Sequence, residues 1–230
     1  MDTAVPLDLE APRPRRIRRL GWAALVFVLA VLGFLRYIGV IGGNLREVVP
    51  GQLFRSAQLS AARLGAVIDA DQIRTVINLR NGSPTRADAV AEREECSHRG
   101  VAYVSIPMSA VVLPPPERLT QLLDTFDHAS FPVLFHCEGG SDRSGLTGTI
   151  YLNVYQHVPL DEAEARQLTW RYAHFSWGQA HAMDDFFDLY RKTAGGLSLR
   201  QWIETRYPAL YAGRDATPAT PSSGATAAAR

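Results

Sequence analysis

The feature that most constrains the fold is the stretch PVLFHCEGGSDRSGLTG at residues 132–148. It begins with a short apolar run, Val133–His136, which is typical of a strand buried on both faces of a parallel sheet. A loop containing Gly139 and Gly140 follows, and a helix is predicted from about Ser144. Because ligands bind at the carboxyl ends of strands in such sheets, we expect a binding site at this loop.

The rest of the chain alternates between predicted strands and predicted helices. Short runs rich in β-branched residues predict strands, and stretches with apolar residues on one face predict helices. The strands are predicted at 53–58, 75–79, 101–106 and 133–136, and the helices at 60–70, 87–99, 117–128, 144–157, 161–174, 180–193 and 198–206. This order predicts an α/β fold with a mostly parallel central sheet that is flanked by helices.

The loop after the fourth predicted strand has the chemistry of an anion site. Glycines let backbone N–H groups turn inward, and the following helix adds the positive end of its dipole. We expect Glu138, Gly139, Gly140 and Ser141 to bind a phosphate-sized anion in this loop, together with Arg143. The planar guanidinium of Arg143 can bridge two phosphate oxygens, which a lysine could not do.

The same environment favours the thiolate form of Cys137, the first residue of the loop. A thiolate aimed at phosphorus is a nucleophile that would form a phosphocysteine intermediate, while Arg143 would stabilise charge on the equatorial oxygens. Ser144 could donate its hydroxyl to the sulfur as it leaves, and His136 is expected to orient the loop. The sequence therefore predicts catalytic roles for Cys137, Arg143 and Ser144.

The motif His-Cys-x5-Arg-Ser-Gly, which starts at His136, resembles the signature of the protein tyrosine phosphatase superfamily. The segments FRSAQLS, IRTVINLR and VAYVSIPMSA are similar to those of compact dual-specificity-like phosphatases, including bacterial members, and the resemblance covers about residues 46–190. It implies the cysteine phosphatase fold, no cofactor, and a phosphorylated protein or small phosphomonoester as substrate. It also implies activity on phosphotyrosine or dual specificity.

Three alternatives stay open at this point. Rhodanese-type sulfurtransferases also place a cysteine in a strand-to-helix loop, although that loop is usually one residue shorter. Phosphatases for phosphoinositides or inositol phosphates tend to carry lysines in the loop, whereas this loop has none and contains Glu138. A membrane-tethered module that binds phosphorylated ligands without turnover is the third alternative, and a missing acid motivates it.

That missing acid is an aspartate, which dual-specificity-like phosphatases usually supply as general acid from the loop after the third predicted strand. Here the loop reads PMSAVVLPPP and contains no acid, with Ala110 about where the aspartate is expected. Asp142 is the first candidate to replace it, since myotubularin-like phosphatases carry an aspartate at this place; capping the next helix is its alternative role. Glu117 is the second candidate, and Asp184 or Asp185 is the third.

Outside the loop, Gln179 could position the hydrolytic water, and Arg80 and Arg86 flank a loop that we expect to border the pocket. An aromatic cluster is predicted to belong to the core: Phe175, Trp177, Phe186, Phe187 and Tyr190.

Composition excludes several other classes of protein. The net charge of +1 gives no basic excess for a nucleic-acid partner. The only two cysteines, Cys96 and Cys137, do not make a disulfide framework. The histidines are scattered without ligand-type spacing, so no metal site is predicted.

The N-terminal segment differs from the rest of the chain. Residues 1–19 are polar and end in five arginines, whereas residues 20–35 carry no polar group other than the indole of Trp22. About 20 helical residues span roughly 30 Å of hydrocarbon, so a transmembrane helix is predicted at 20–42. A cleaved signal peptide and a buried core helix are the alternatives. The arginine asymmetry predicts a cytoplasmic tail and a catalytic domain outside the cytoplasm, in the periplasm.

The remaining boundaries follow from composition. The phosphatase domain is expected at residues 45–211. Residues 212–230 consist mainly of Ala, Thr, Pro, Ser and Gly. Such a segment cannot bury enough apolar surface to offset its chain entropy, so a disordered tail is predicted there.

Overall fold

The structure is a computed structural model that describes residues 14–37, 42–177 and 181–215. Its centre is a five-stranded sheet with the strand order β1-β2-β5-β3-β4. The strands are β1 (Arg46–Val49), β2 (Leu53–Ser56), β3 (Thr75–Arg80), β4 (Ala102–Met108) and β5 (Val133–His136). β1 pairs with β2 in antiparallel fashion, and the other pairs are parallel. The predicted α/β fold with a mostly parallel sheet is confirmed, while β1 was not predicted.

The helices in the described part of the chain follow the predicted order. They are α1 (Pro14–Tyr37), α2 (Ala61–Asp71), α3 (Ala87–His98), α4 (Pro116–His128), α5 (Asp142–Val154), α6 (Leu160–Gln167), α7 (Ala182–Thr193), α8 (Leu199–Thr205) and α9 (Tyr207–Asp215). The helix α9 extends past residue 212, where the tail is predicted to begin, and residues 216–230 lie outside the described residues.

Apolar side chains pack against both faces of the sheet. Ile77 and Phe135 belong to the cluster that α4, α5, α7 and α8 cover. Their chain neighbours Val76 and Leu134 belong to the cluster that α2 and α3 cover. Successive side chains of a strand point to opposite faces, so β3 and β5 are buried at every position. Strands fixed on both faces therefore position the loop that follows β5.

The largest difference from the predicted elements lies in the helix expected at 161–174. It ends at Gln167, and a short 3-10 turn follows at Trp170–Tyr172. The turn brings the ring of Tyr172 to within 4.1 Å of the guanidinium of the buried residue Arg55. A straight helix could not make this cation–π contact, which is worth more in a desolvated place than at the surface.

Two glycines of α5 allow α6 to approach closely. A Cβ on Gly145 would lie 2.4 Å from Leu168 Cδ2, and a Cβ on Gly148 would lie 2.6 Å from Gln167 Oε1. Such distances are below van der Waals contact, so a side chain at either position would displace the side chain of Leu168 or Gln167, and one at Gly145 would also press on the carbonyl oxygen of Gln167 at 3.0 Å. The end of α6 is thereby held next to the loop that follows β5.

The transmembrane helix predicted at 20–42 is not supported. The helix α1 covers Pro14–Tyr37, while residues 38–41 lie outside the described part of the chain. No helix of the described residues is long and apolar enough to cross a membrane. The large apolar side chains along α1 are exposed, such as Trp22 at 65% and Phe27 at 69%.

Candidate active site

Cys137 directly follows β5, and its side chain is buried. Residues 138–141 form a loop, and α5 begins at Asp142. Because β5 lies between β2 and β3, this loop sits at the middle of the carboxyl edge of the parallel strands.

The carbonyl groups of the loop point toward the body of the protein. The side-chain amide of Asn44 donates to the carbonyls of Gly139 and Gly140, each at 3.1 Å. Arg55 Nη2 donates to the carbonyl of Gly140 at 2.7 Å and to that of Ser141 at 3.0 Å. Two buried side chains therefore hold three successive peptide groups in one orientation.

The backbone N–H of Gln58 donates to the carbonyl of Glu138 at 3.1 Å, which extends the pattern by one peptide. In a trans peptide the C=O and the N–H point in opposite directions. The N–H groups of residues 139–142 therefore face away from Asn44, Arg55 and Gln58, toward the inside of the loop. This is the arrangement of an anion nest.

Gly140 is required for this path of the backbone. Its φ is +68°, in the left-handed region, and a Cβ there would lie 2.6 Å from Ala57 N and from the carbonyl carbon of Ser56. Both neighbours are backbone atoms at the end of β2, which cannot easily move. A side chain at this position would push the loop away from the sheet edge.

Arg55 is a buried cation behind the loop that sequence reasoning missed. Its guanidinium is fully buried and also donates to the carbonyl oxygen of Gln167 at 2.9 Å and to Gln167 Oε1 at 2.7 Å. Burial lowers the pKa of Arg55 to about 10, while the charge of Cys137 acts in the opposite direction. Arg55 is thus charged at neutral pH and places a positive charge behind the loop that Cys137 begins.

Arg143 lies in the first turn of α5. Its Nη1 donates to the carbonyl of Met108, at the end of β4, at 3.2 Å. Its Nε and the hydroxyl of Ser144 are buried, and neither has a hydrogen-bond partner among the described residues. Buried donors are nearly always paired in proteins. The orphaned donors next to the loop therefore fit a site that receives an anion.

Asp142 contacts a histidine that the sequence analysis did not single out. Asp142 Oδ1 lies 2.8 Å from His174 Nδ1, and Asp184 Oδ2 lies 3.0 Å from His174 Nε2. His174 itself is buried. Its burial works against the charged form, but the hydrogen bonds to both carboxylates outweigh that effect and raise its pKa to about 9. Asp142 is thus paired with a cation.

His136 links Cys137 to the opposite face of the sheet. Its Nδ1 lies 3.4 Å from the carbonyl oxygen of Cys137, and its Nε2 lies 2.5 Å from Glu92 Oε1. Both side chains of the pair are buried, and Glu92 also accepts from the amide of Asn78 at 2.9 Å. The ring of His136 therefore has a close neighbour at each nitrogen, and its orienting role stays a prediction.

Glu138 points its side chain out of the loop. Its carboxylate pairs with Arg80, whose Nη1 also contacts Asp88 at 2.6 Å. The hydrogen bond from Arg80 lowers the pKa of Asp88 to about 2. Arg80 lines a cavity of about 170 Å³ together with Arg86 and Arg93. Of the two arginines expected to border the pocket, Arg80 thus contacts the loop through Glu138, and Arg86 shares its cavity and its partner Asp88.

The other candidates for the general acid lie elsewhere. Glu117 is exposed in the first turn of α4. Asp185 forms an ion pair with His181 on the exposed side of α7, at 2.8 Å. Of the third pair of candidates, only Asp184 approaches the loop, through His174. The predicted water-positioning residue Gln179 lies outside the described residues.

The second cysteine and the aromatic cluster have separate surroundings. Cys96 is buried on the α2–α3 side of the sheet, and burial raises the pKa of its thiol to about 12, so it stays protonated. The predicted aromatic core is correct for Phe186 and Phe187, which are buried. It is wrong for Phe175 and Trp177, which are exposed at 40% and 85%. They lie on the segment that turns back after α6.

Fold and loop together are those of the cysteine-dependent phosphatases, which hydrolyse phosphate monoesters through a phosphocysteine. Residues 43–182 match the family described as PTP-SAK, Swiss Army Knife protein, DSP-PTPase phosphatase domain. The match covers more than half of the chain, and the chain belongs to this family. The resemblance to dual-specificity-like phosphatases is thereby confirmed, and the sulfurtransferase alternative is not supported.

Solved structures agree on the fold. TpbA from P. aeruginosa is 21% identical, with a TM-score of 0.50 over 64% of this chain and 84% of TpbA. A protein from Shewanella putrefaciens CN-32 is 20% identical, with a TM-score of 0.50 over 66% of this chain and 90% of that one. No curated protein matches the sequence.

Proposed function

We propose that Cys137 is the nucleophile of this phosphatase and that Arg143 and the loop amides bind the transferred phosphoryl group. The orientation of the loop carries the proposal. The carbonyls of residues 138–141 accept hydrogen bonds from the protein body, so the N–H groups face the inside of the loop. The buried cation Arg55 lies behind the same peptides.

The reaction proceeds in two steps. In the first, the sulfur of Cys137 attacks phosphorus, a P–S bond forms, and the bond to the leaving oxygen breaks as Asp142 donates a proton to that oxygen. In the second, water attacks phosphorus, the P–S bond breaks, and Asp142 takes up a proton from the water. The hydroxyl of Ser144 donates to the departing sulfur, and Cys137 returns as a thiolate.

Among the carboxylates considered, Asp142 is the one that we propose as general acid. It directly precedes Arg143 in the chain, so it lies at the mouth of the same loop. Glu117 is exposed on α4, and Asp185 is paired with His181. A general acid contributes on the order of 10²–10⁴ in rate, so the choice has a measurable consequence.

The proposed substrate is a phosphate ester of an aromatic alcohol, such as phosphotyrosine. Its support is the segment next to Asp142, which presents the partly exposed rings of Trp170, Phe175 and Trp177. These rings line a cavity of about 280 Å³ together with His174. Aromatic rings favour offset or edge-to-face contacts with one another, so an aryl leaving group has a surface to pack against.

The test is a panel of substrates assayed with the native chain and with Cys137→Ser. The panel holds para-nitrophenyl phosphate, a phosphotyrosine peptide, a phosphoserine peptide and inositol phosphates. We expect the native chain to have a higher kcat/KM for the aryl phosphates than for the other substrates. Cys137→Ser should turn over none of them. Binding of a phosphotyrosine peptide by the native chain without any turnover would instead favour the non-catalytic module.

A second candidate substrate is a phosphoinositide or inositol phosphate, and the cavity beside the loop favours it. Arg80, Arg86 and Arg93 line that cavity, and Arg93 is exposed. Arginines there would supply the positive charge that the loop lacks. If this candidate is correct, Arg93→Gln lowers kcat/KM for inositol phosphates and leaves that for para-nitrophenyl phosphate unchanged.

We also propose that the N-terminal segment attaches the chain to a membrane, with the catalytic domain on the periplasmic side. Support comes from the exposed apolar side chains of α1 and from the arginines that precede residue 20. Protease added to intact spheroplasts tests the orientation. Digestion of the domain without lysis agrees with the proposal, whereas protection until lysis contradicts it.

A further inference from the structure

Three titratable side chains form a continuous line that leads away from the phosphate-binding loop. His174 Nδ1 lies 2.8 Å from Asp142 Oδ1, and His174 Nε2 lies 3.0 Å and 3.3 Å from the two carboxylate oxygens of Asp184. An ionised carboxylate only accepts hydrogen bonds. Both ring nitrogens therefore face acceptors, and the doubly protonated ring is the form that satisfies both contacts.

The surroundings maintain this charged form. The side chain of His174 is only 3% exposed, so water replaces neither carboxylate as its partner. Burial opposes the charge, yet the hydrogen bonds to Asp142 and Asp184 raise the pKa of His174 to about 9. Two other charged groups interact with the carboxylates beside His174. Arg55 interacts electrostatically with Asp142, and Glu164 interacts with Asp184.

The two ends of the line have different environments. At the inner end, Asp142 lies in the first turn of α5, directly before Arg143. At the outer end, His174 and Asp184 line the cavity of about 280 Å³, which is open toward solvent between Trp170 and Trp177. A proton that leaves the inner end can therefore be replaced from the outer end.

We propose that His174 is the proton source of the phosphatase and that it acts through Asp142, while Asp184 holds the ring in its cationic form. The proposal rests on the proposed function, because it takes Asp142 as the group that touches the leaving oxygen. His174 and Asp184 are then positioning residues for proton transfer, and neither contacts the substrate.

The proton moves in one direction in each half of the reaction. As the P–S bond forms and the bond to the leaving oxygen breaks, that oxygen takes a proton through Asp142, and His174 Nδ1 loses one and becomes neutral. When water attacks the phosphocysteine and the P–S bond breaks, the proton of that water passes through Asp142 back to His174 Nδ1. The sulfur leaves as a thiolate, and the enzyme returns to its starting charge.

This relay replaces the acid that the loop after β4 lacks. That loop contains no aspartate or glutamate, and the relay is contributed instead by α5, α7 and the segment after α6. The alternative is a purely structural ion pair that fastens the segment after α6 to α5. The two roles differ in one measurable respect, because only a proton source responds to the basicity of the leaving group.

The experiment measures kcat/KM, which reports the step that expels the leaving group, against pH for para-nitrophenyl phosphate, a good leaving group, and for phenyl phosphate, a poor one. For the native chain, we expect the rate on phenyl phosphate to fall as the pH rises through about 9, because His174 loses its proton there. The rate on para-nitrophenyl phosphate should fall much less over the same range. If both rates have the same alkaline limb, the relay is wrong; this measurement needs no variant.

The variant Asp184→Asn keeps the shape of the side chain and removes the charge at the outer end. We expect the alkaline limb for phenyl phosphate to move by at least about one pH unit toward the ordinary histidine range. At pH 8 the loss of kcat/KM on phenyl phosphate should be about tenfold larger than the loss on para-nitrophenyl phosphate. Equal losses on both substrates with an unmoved limb would show a structural role only.

Asp185→Asn is the matched control, since it makes the same chemical change one residue along α7, where the carboxylate pairs with His181. Its pH profiles should superimpose on those of the native chain.

Failure of the proposed function gives a different experimental result. An inactive native chain, or full activity of Cys137→Ser, would remove the phosphatase mechanism itself, whereas an active native chain without the leaving-group effect removes only the relay.

Discussion

At the scale of single residues, the site depends on which way a few peptide groups face. Asn44 and Arg55 donate to the carbonyls of the loop, and the reversed N–H groups then form the anion nest. These hydrogen bonds order the loop before any ligand arrives. The loss of conformational entropy on binding is therefore smaller. The positive φ of Gly140 is what lets the chain follow this path.

We predict that Gly140→Ala lowers kcat/KM by about 100-fold or more. The new methyl group would lie 2.6 Å from two backbone atoms next to β2, and the backbone would be strained at a φ of +68°. Strain of this kind costs on the order of 1–3 kcal/mol, and displacement of the loop by 1 Å costs about 10²-fold in rate. Steady-state kinetics on para-nitrophenyl phosphate and a thermal melt measure both effects.

Gly139→Ala is the comparison for this prediction. A Cβ at Gly139 meets only Ser141 Oγ, at 3.5 Å, which is an ordinary contact, and the φ of Gly139 is not in the left-handed region. The loss of kcat/KM should therefore be clearly smaller than for Gly140→Ala. Equal losses would mean that any side chain in the loop blocks substrate, and that the close approach to β2 is not the cause.

At the scale of elements, features that depend on one short stretch of sequence were predictable, whereas features that depend on contacts between distant residues were not. The strand at Val133–His136 and the start of the helix behind it were predictable, because the apolar run and the glycines lie within one short stretch. The roles of Asn44, Arg55 and His174 were not predictable, since the residues that they contact at positions 139–142 lie 32 to 96 residues away along the chain. The same reason explains why the helix predicted at 161–174 was too long: the contact that ends it is tertiary.

The helices α4, α5 and α8 are joined by one carboxylate. Asp127 accepts from Arg200 Nη1 at 3.0 Å and from the hydroxyl of Tyr155 at 2.8 Å. The hydrogen bond from Arg200 lowers the pKa of Asp127 to about 2, below its usual value of 3.8. Its contribution to stability is therefore present above about pH 4, and it is lost as the pH falls from 4 toward 2.

We predict that Asp127→Asn destabilises the chain by about 1 kcal/mol at pH 7, a moderate value because the pair is partly solvated. At pH 3 the difference from the native chain should be smaller, since the native carboxylate begins to protonate. Urea unfolding at both pH values measures it. Asp124→Asn, on the same helix but with a largely exposed carboxylate, should change stability much less. A difference for Asp127→Asn that does not depend on pH would contradict the assigned cause.

At the scale of the whole molecule, apolar side chains are covered in the catalytic domain and exposed along α1. The two apolar clusters of the domain are covered on both faces of the sheet. The large side chains along α1, from Leu20 to Phe34, are exposed, and a Cβ at Gly21 or Gly33 would meet no atom within 4 Å. Exposed apolar area of this kind marks a surface that binds a membrane or another apolar partner.

We therefore predict that a chain that starts at residue 42 keeps its fold and its activity but lacks the membrane attachment that we propose for the full chain. Its Tm should lie within about 2 °C of that of the full chain, because that shift corresponds to less than about 1 kcal/mol in a domain of this size. Its kcat on para-nitrophenyl phosphate should be unchanged. The full chain should sediment with membranes. Detergent rather than salt should release it, because the contact is apolar. A chain held only by the attraction between its arginines and anionic lipids would instead be released by salt. A full chain that stays in the supernatant without detergent would refute membrane attachment, and a shortened chain that unfolds would show instead that α1 packs on the domain.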